Sequence, residues 1–119
     1  MAVTPSRVRE LALALTGASE VPHMERMAFR TPRKIFATLA ASGEDLNLML
    51  DQDLRDFYSE HARRAFHPVP GGWGRMGITT CLLTEVDEPT LHSALAAAHR
   101  LAAPRPRRPS RFPSGRPPG

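Results

Sequence analysis

Residues 27–51, MAFRTPRKIFATLAASGEDLNLMLD, carry the pattern that decides the fold. From Asp45 to Asp51 the chain alternates strictly, with Leu46, Leu48 and Leu50 on one face and Asn47 and Met49 on the other. Period two with one apolar face is the mark of a half-buried strand. Lys34 to Ala40, dominated by Ile35 and Phe36, forms a second strand, and Ala41-Ser42-Gly43 turns it back, with Gly43 able to take a positive φ. Met27 to Arg30 forms a third, joined to the second by Thr31-Pro32-Arg33, where the fixed φ of proline suits a turn. Strands joined by hairpin-length connections imply antiparallel pairing.

Upstream, Thr4-Pro5 reads as an N-cap followed by proline at the first helical position. Val8, Leu11, Ala12 and Leu15 then recur at helical spacing until Gly17 ends the run. Downstream, Asp51 caps a second helix with an expected buried stripe of Leu54, Phe57, Tyr58 and His61. The passage HPVPGGWGRMG leads into a strand from Ile78 to Thr84, with a short strand around Trp73 to Met76 expected to pair with it. Asp87 starts a third helix, with Pro89 in its first turn and Leu91, Ala94, Leu95, Ala98 and Leu101 on one face. The expected fold is α/β of the α+β kind: two layers, a largely antiparallel sheet with helices on one face, in the order α-β3-α-β2-α.

The 119 residues, 41% hydrophobic, suit one globular domain. Composition breaks at Pro104, dividing a domain over residues 1–103 from an Arg/Pro-rich tail over residues 104–119. That tail, PRPRRPSRFPSGRPPG, holds six prolines, five arginines and one large apolar residue, Phe112, so disorder is expected. The formal charge of +4 divides in the same way. The body carries 11 basic and 12 acidic residues, and the excess of positive charge belongs to the tail. One cysteine, Cys81, cannot form an internal bridge, which favours a reducing cytoplasm. No apolar run approaches the roughly 20 residues of a membrane span. Glu10 interrupts the apolar part of the first segment, which therefore reads as a helix rather than a signal peptide.

The residues that could carry chemistry mostly have structural explanations. His92 and His99 are seven apart on a helix, about 10.5 Å along its axis, too far to share a zinc ion. With no CxxC or HExxH spacing, no metal or other cofactor is expected. Cys81 sits mid-strand as a small buried side chain. Gly71-Gly72-Trp73-Gly74-Arg75-Met76-Gly77 could be imagined as an anion nest, but a strand follows it instead of a helix. A tight turn with Trp73 closing the edge of the core is the plainer reading. The acidic pairs Glu44-Asp45, Asp51/Asp53 and Asp87-Glu88 stand at turns and helix starts, where they cap amides. No catalytic residue is assigned and no enzyme is expected. A deep pocket enclosing Trp73, His67 and Tyr58 would be the sign of one.

The basic residues offer more. Arg30, Arg33 and Lys34 surround the first hairpin turn, Arg63 and Arg64 follow the second helix, and Arg75 lies in the glycine-rich passage. Gathered on one face they would contact phosphates, with Trp73 or Phe112 stacking on bases; scattered, they form a solvated mixed-charge surface. Arg105, Arg107 and Arg108 begin the tail, which admits three readings: a non-specific electrostatic arm, a PxxP-type ligand, or a solubilising extension. An arm of five phosphate contacts would give a log K versus log salt slope of at most about −4.5.

Phe66, Pro68-Val69-Pro70-Gly71, Trp73-Gly74, Gly77 and Thr79-Thr80 together resemble the signature of the MmcQ/YjbR-like family of small bacterial proteins. Ala28-Phe29-Arg30, Lys34-Ile35-Phe36-Ala37 and the Leu15-Thr16-Gly17 helix end agree with it, so the resemblance spans about residues 5–103. It implies a two-layer α-β3-α-β2-α fold and DNA as the partner. Met49 stands where members often carry a lysine, and Ile78 where an aromatic is frequent. The expectation is a non-enzymatic, cytoplasmic DNA-binding protein with no membrane association. The alternative is a protein-interaction module on a secretion-chaperone-like fold, docking through Val69, Trp73, Met76 and Ile78.

Overall fold

The computed structural model describes residues 2–103. The expected disorder of residues 104–119, and the contacts expected of Arg105, Arg107 and Arg108, lie outside the described residues. The described chain runs α1 (Pro5–Leu13), β1 (Ser19–His23), β2 (Arg26–Arg30), β3 (Ile35–Ala40), β4 (Asp45–Met49), α2 (Gln52–His61), β5 (Phe66–Pro68), α3 (Gly72–Met76), β6 (Ile78–Leu82) and α4 (Glu88–Ala102). It is an α+β fold whose six strands lie in the order β1-β2-β3-β4-β6-β5, every neighbouring pair antiparallel.

Register assigns the two faces. Leu39 opposes Leu46, which opposes Cys81, which opposes Phe66, and all four are buried. Helices pack on that face. Val8 and Ala12 of α1 join the core, Tyr58 of α2 lies 5.0 Å from Phe66 between ring centroids, and Leu91, Ala94, Leu95 and Ala98 of α4 are fully buried. The β2–β3 register shifts beside Arg30, so that Phe36 turns inward with Ala37 and meets the ring of His99 edge-on. The opposite face carries a cross-strand row of Val21, Ala28, Thr38, Asn47, Thr80 and His67. Thr80 Oγ1 donates to Asn47 Oδ1 at 2.8 Å, and Arg26 binds Thr38 Oγ1 and Asp45 Oδ1 at 2.9 and 2.8 Å.

Helix starts follow their caps. The side chains of Thr4, Asp51 and Asp87 accept from the amides of Arg7, Leu54 and Thr90. Several local expectations need correction. The segment Ser19–His23 is an additional edge strand. Pro22 breaks its pattern but is tolerated at a sheet edge, where one side of the backbone needs no partner. The partner of β6 is Phe66–Pro68, and residues 72–76 form one helical turn instead of a strand. Trp73 does not close the core; it is 66% exposed. Within α2 only Tyr58 is buried, whereas Phe57 is 48% exposed and stacks on the exposed His61. Leu101, expected on the buried face of α4, is partly exposed at its end.

Candidate nucleic-acid interface

The β2–β3 turn and the end of α4 are built together. Thr31 is buried, and its hydroxyl accepts from the amides of Arg33 and Lys34, each at 3.1 Å, while lying 2.7 Å from the carbonyl oxygen of Ala102. Arg33 then reaches over the last turn of α4, donating to the carbonyls of Leu101, Ala102 and Ala103. A guanidinium there satisfies carbonyls that have no intrahelical partner and opposes the negative end of the helix dipole. Arg30 folds back onto the turn, donating to the carbonyls of Thr31 and Pro32 at 3.0 and 3.4 Å. Of the three cations around this turn, two are therefore occupied by backbone oxygen. Lys34 is exposed and makes no side-chain hydrogen bond or ion pair among the described residues.

Beside Lys34 the ends of β4 and β6 meet α3. Gly77, at φ +121°, leaves a space where a Cβ would stand 2.3 Å from the carbonyl oxygen of Leu50, so the chain there turns tightly against the β4–α2 junction. Helix α3 is held from below. Arg55 Nη1 donates to the carbonyl of Gly74 at 2.8 Å, and Gln52 Nε2 to that of Arg75 at 2.9 Å. Arg75 is exposed, with no ion pair among the described residues. Between these elements runs an open groove of about 580 Å³, lined by Arg33, Lys34, Ile35, Met49, Leu50, Asp51, Met76, Ile78 and Leu101. Met76 is 71% exposed. Among the described residues Asp51 is the groove's one carboxylate, and its oxygen is already committed to the Leu54 amide at 2.9 Å.

Arg63 and Arg64 lie elsewhere. They follow the far end of α2, a ten-residue helix that carries the chain about 15 Å from Asp51. There they line a separate cleft of about 320 Å³ with Glu60, Glu85 and Asp87, and Arg64 Nε lies 3.8 Å from Glu85 Oε1. The fold thus gathers Arg30, Arg33 and Lys34 at one turn, with Arg75 next in sequence to Met76 of the groove beside it, and leaves Arg63 and Arg64 at the far end of α2. Two further features become visible only in the fold. Arg26 is tied to Asp45 across the helix-free face, and Phe57 and His61 wall a cleft between α2 and α4. The i, i+4 spacing of Phe57 and His61 was visible, but it reads equally well as a buried stripe.

Other candidate chemistry is placed plainly. Burial, and secondarily the charge of Asp45, pushes the Cys81 thiol up to about 12, which keeps it protonated and un-nucleophilic. Tyr58 is buried against Ser93, His67 is exposed on β5 with its Nε2 3.2 Å from the Arg64 carbonyl oxygen, and Trp73 stands in solvent. Among the described residues no three His, Cys, Asp or Glu side chains converge as a metal site, and no helix is long and apolar enough to cross a membrane.

A protein from Deinococcus radiodurans carrying the DUF419 domain superposes with a TM-score of 0.65 at 16% identity, over 80% of this chain and 75% of that one. A protein from Pseudomonas syringae superposes with a TM-score of 0.65 at 13% identity, over 84% of this chain and 99% of that one. At such identities the likeness is one of fold. No protein with a curated description matches the chain. The YjbR family model matches residues 13–101, from the end of α1 to the last turn of α4. By that match, which covers most of its length, the chain belongs to the YjbR family.

Proposed function

We propose that this chain is a non-enzymatic DNA-binding protein that holds a phosphate backbone at the end of the sheet where β3 begins and β4 ends. One observation carries the reading. Lys34, in the groove's lining, and Arg75, next in sequence to the lining residue Met76, are both exposed and without ion pairs among the described residues, and Ala103, bonded to Arg33 of the same lining, leads into a segment with five arginines. Phosphate contacts supply most of non-specific affinity and make it salt-dependent. Trp73 and Met76, exposed on the neighbouring helical turn, add a surface on which unpaired bases stack. Titration of labelled duplex and single-stranded oligonucleotides with the full chain at several salt concentrations tests the reading. The expected result is binding that weakens steeply with salt and is reduced in the Lys34→Ala/Arg75→Ala variant. Absence of binding at low salt would overturn it, and an unchanged affinity in that variant would reduce it to an effect of the arginine segment.

A second reading, a protein-interaction module on a secretion-chaperone-like fold, is favoured by the exposure of Trp73 and Met76 beside the apolar groove wall of Met49 and Ile78. It requires a polypeptide partner lost on Trp73→Ala/Met76→Ser. Strictly monomeric behaviour together with a pull-down that recovers no partner would remove it.

A further inference from the structure

The groove beside Lys34 offers a ligand more apolar surface than charge. Met49 and Ile78 are register partners across β4 and β6, and Ile35, Leu50, Met76 and Leu101 complete its apolar lining. Met76 and Leu101 are 71% and 38% exposed, so apolar surface faces water there. The polar groups are mostly committed. Arg33 donates to the carbonyls at the end of α4, and Asp51 accepts from the Leu54 amide. Lys34 is exposed and makes no side-chain hydrogen bond or ion pair among the described residues. A single free ammonium beside so much apolar surface is the wrong ratio for a site that holds phosphates alone. It suits a ligand that alternates an anion with a flat apolar group, which is the composition of a nucleotide strand whose bases are unpaired.

Helix α3 adds an aromatic surface. Trp73 stands three residues before Met76, so the two are neighbours on one helical turn, and its indole is 66% exposed. The turn is anchored to α2 by Arg55 Nη1 on the Gly74 carbonyl at 2.8 Å and Gln52 Nε2 on the Arg75 carbonyl at 2.9 Å. The ring is therefore presented from a fixed backbone, which lowers the ordering cost of binding. Among the described residues the lining holds no Asn, Gln, Ser or Thr to read base edges. Size keeps the double helix off the floor. A space of about 580 Å³ has a mean dimension of roughly 8 Å, and a duplex, whose major groove alone is about 12 Å wide, cannot enter it. In a duplex the base faces are stacked on one another, and only the backbone is free to touch Lys34 and Arg75. In a single strand the base faces are available.

We propose, resting on the DNA-binding reading above, that this groove is a site for single-stranded DNA, which lays its bases on Met49, Met76, Ile78 and the Trp73 ring and sets a phosphate against Lys34. Stacking on apolar and aromatic surface tolerates any base, so sequence preference is weak. Duplex binds through its backbone alone.

Trp73 is the chain's only tryptophan, so its emission reports on the site directly. The full chain is titrated at low salt with three labelled probes of equal length: a thymidine strand, a strand of abasic sites and a duplex. The thymidine and abasic strands carry the same phosphates, so attraction to charge, that of the arginines in residues 104–119 included, is common to both. The expected result is that the thymidine strand alone changes Trp73 emission and binds more tightly than the abasic strand, by about 5- to 150-fold for each stacked base. Trp73→Ala/Met76→Ser, which alters only exposed side chains, should abolish most of that advantage in anisotropy titrations and leave the abasic affinity unchanged. Equal affinity for the thymidine and abasic strands, or a duplex that changes Trp73 emission as the thymidine strand does, overturns the single-strand assignment and leaves the phosphate reading standing. An advantage that survives the double variant places the bases elsewhere and overturns it as well. Binding of no probe overturns both.

Discussion

The Nε atom of Arg33 lies 3.2 Å from the carbonyl oxygen of Ala102, and the hydroxyl of Thr31 approaches the same oxygen at 2.7 Å. A hairpin turn 70 residues away in sequence therefore closes the C-terminal end of α4. This division of labour separates two neighbouring cations, since Arg33 is structural and Lys34 faces solvent.

Arg33→Ala removes a guanidinium from carbonyls that have no other cationic partner among the described residues, and the expected loss is about 1–2 kcal/mol of stability. Lys34→Ala should stay within about 0.5 kcal/mol of the parent. Urea midpoints of the two variants measured side by side check the pair. Equal midpoints would mean that the cap contributes nothing.

Gly74 makes a sharper case, because a Cβ there would stand 1.7 Å from the carbonyl oxygen of Val69. No rotamer relieves a backbone clash, so Gly74→Ala should cost about 2–3 kcal/mol or prevent folding. Gly72, in the same turn, faces only the flexible end of Arg75 at 3.5 Å. Gly72→Ala is accordingly expected to be neutral or to stabilise by up to about 1 kcal/mol through helix propensity. Thermal unfolding of the two single variants separates a requirement for space from a preference for loop glycines.

These same glycines mark the limit of what the sequence disclosed. Strict alternation over Asp45–Asp51 has only one good solution, and the caps at Thr4, Asp51 and Asp87 announce helices by local chemistry, so those elements were legible. The glycine-rich turn was not, because its helical form depends on Val69 packing against Gly74 and on Gly77 packing against Leu50, contacts that no local pattern encodes. Phe57 shows the same limit on α2. Helical spacing joins it to Tyr58 and His61, but only the position of α4 decides which flank is covered. For the cations, sequence indicated which residues to watch but not that ten residues of α2 separate Asp51 from the Arg63 end.

Acid should weaken the start of α4. The guanidinium of Arg7, bonded to Glu88 at 2.7 Å, holds that carboxyl below its ordinary range, and hydrogen bonds from Thr90 do the same for Asp87. A carboxyl whose folded pKa is depressed contributes stability that is present above its unfolded value, about 4, and is lost as pH falls through the folded value. Asp87→Asn and Glu88→Gln should therefore be less stable than the parent at pH 7 and converge with it as the pH falls toward about 2. Unfolding midpoints across that range provide the check, and a difference that persists undiminished in acid would assign the effect to packing.

The two groups of arginines give the most direct reading of where a polyanion sits. If the backbone of DNA lies along the groove between β3 and α3, removing Lys34 and Arg75 together should make the log K versus log salt slope shallower by about 1.8, at roughly 0.9 per phosphate contact on duplex. Arg63→Ala/Arg64→Ala should leave that slope unchanged, because those side chains stand beyond the far end of α2 among Glu60, Glu85 and Asp87. Both double variants remove the same formal charge, so a general loss of attraction would shift them equally. Anisotropy titrations between about 50 and 200 mM salt, a range over which such contacts change affinity strongly, distinguish the cases. Equal slopes for the two variants would mean that net charge, and not the groove, recruits the polyanion.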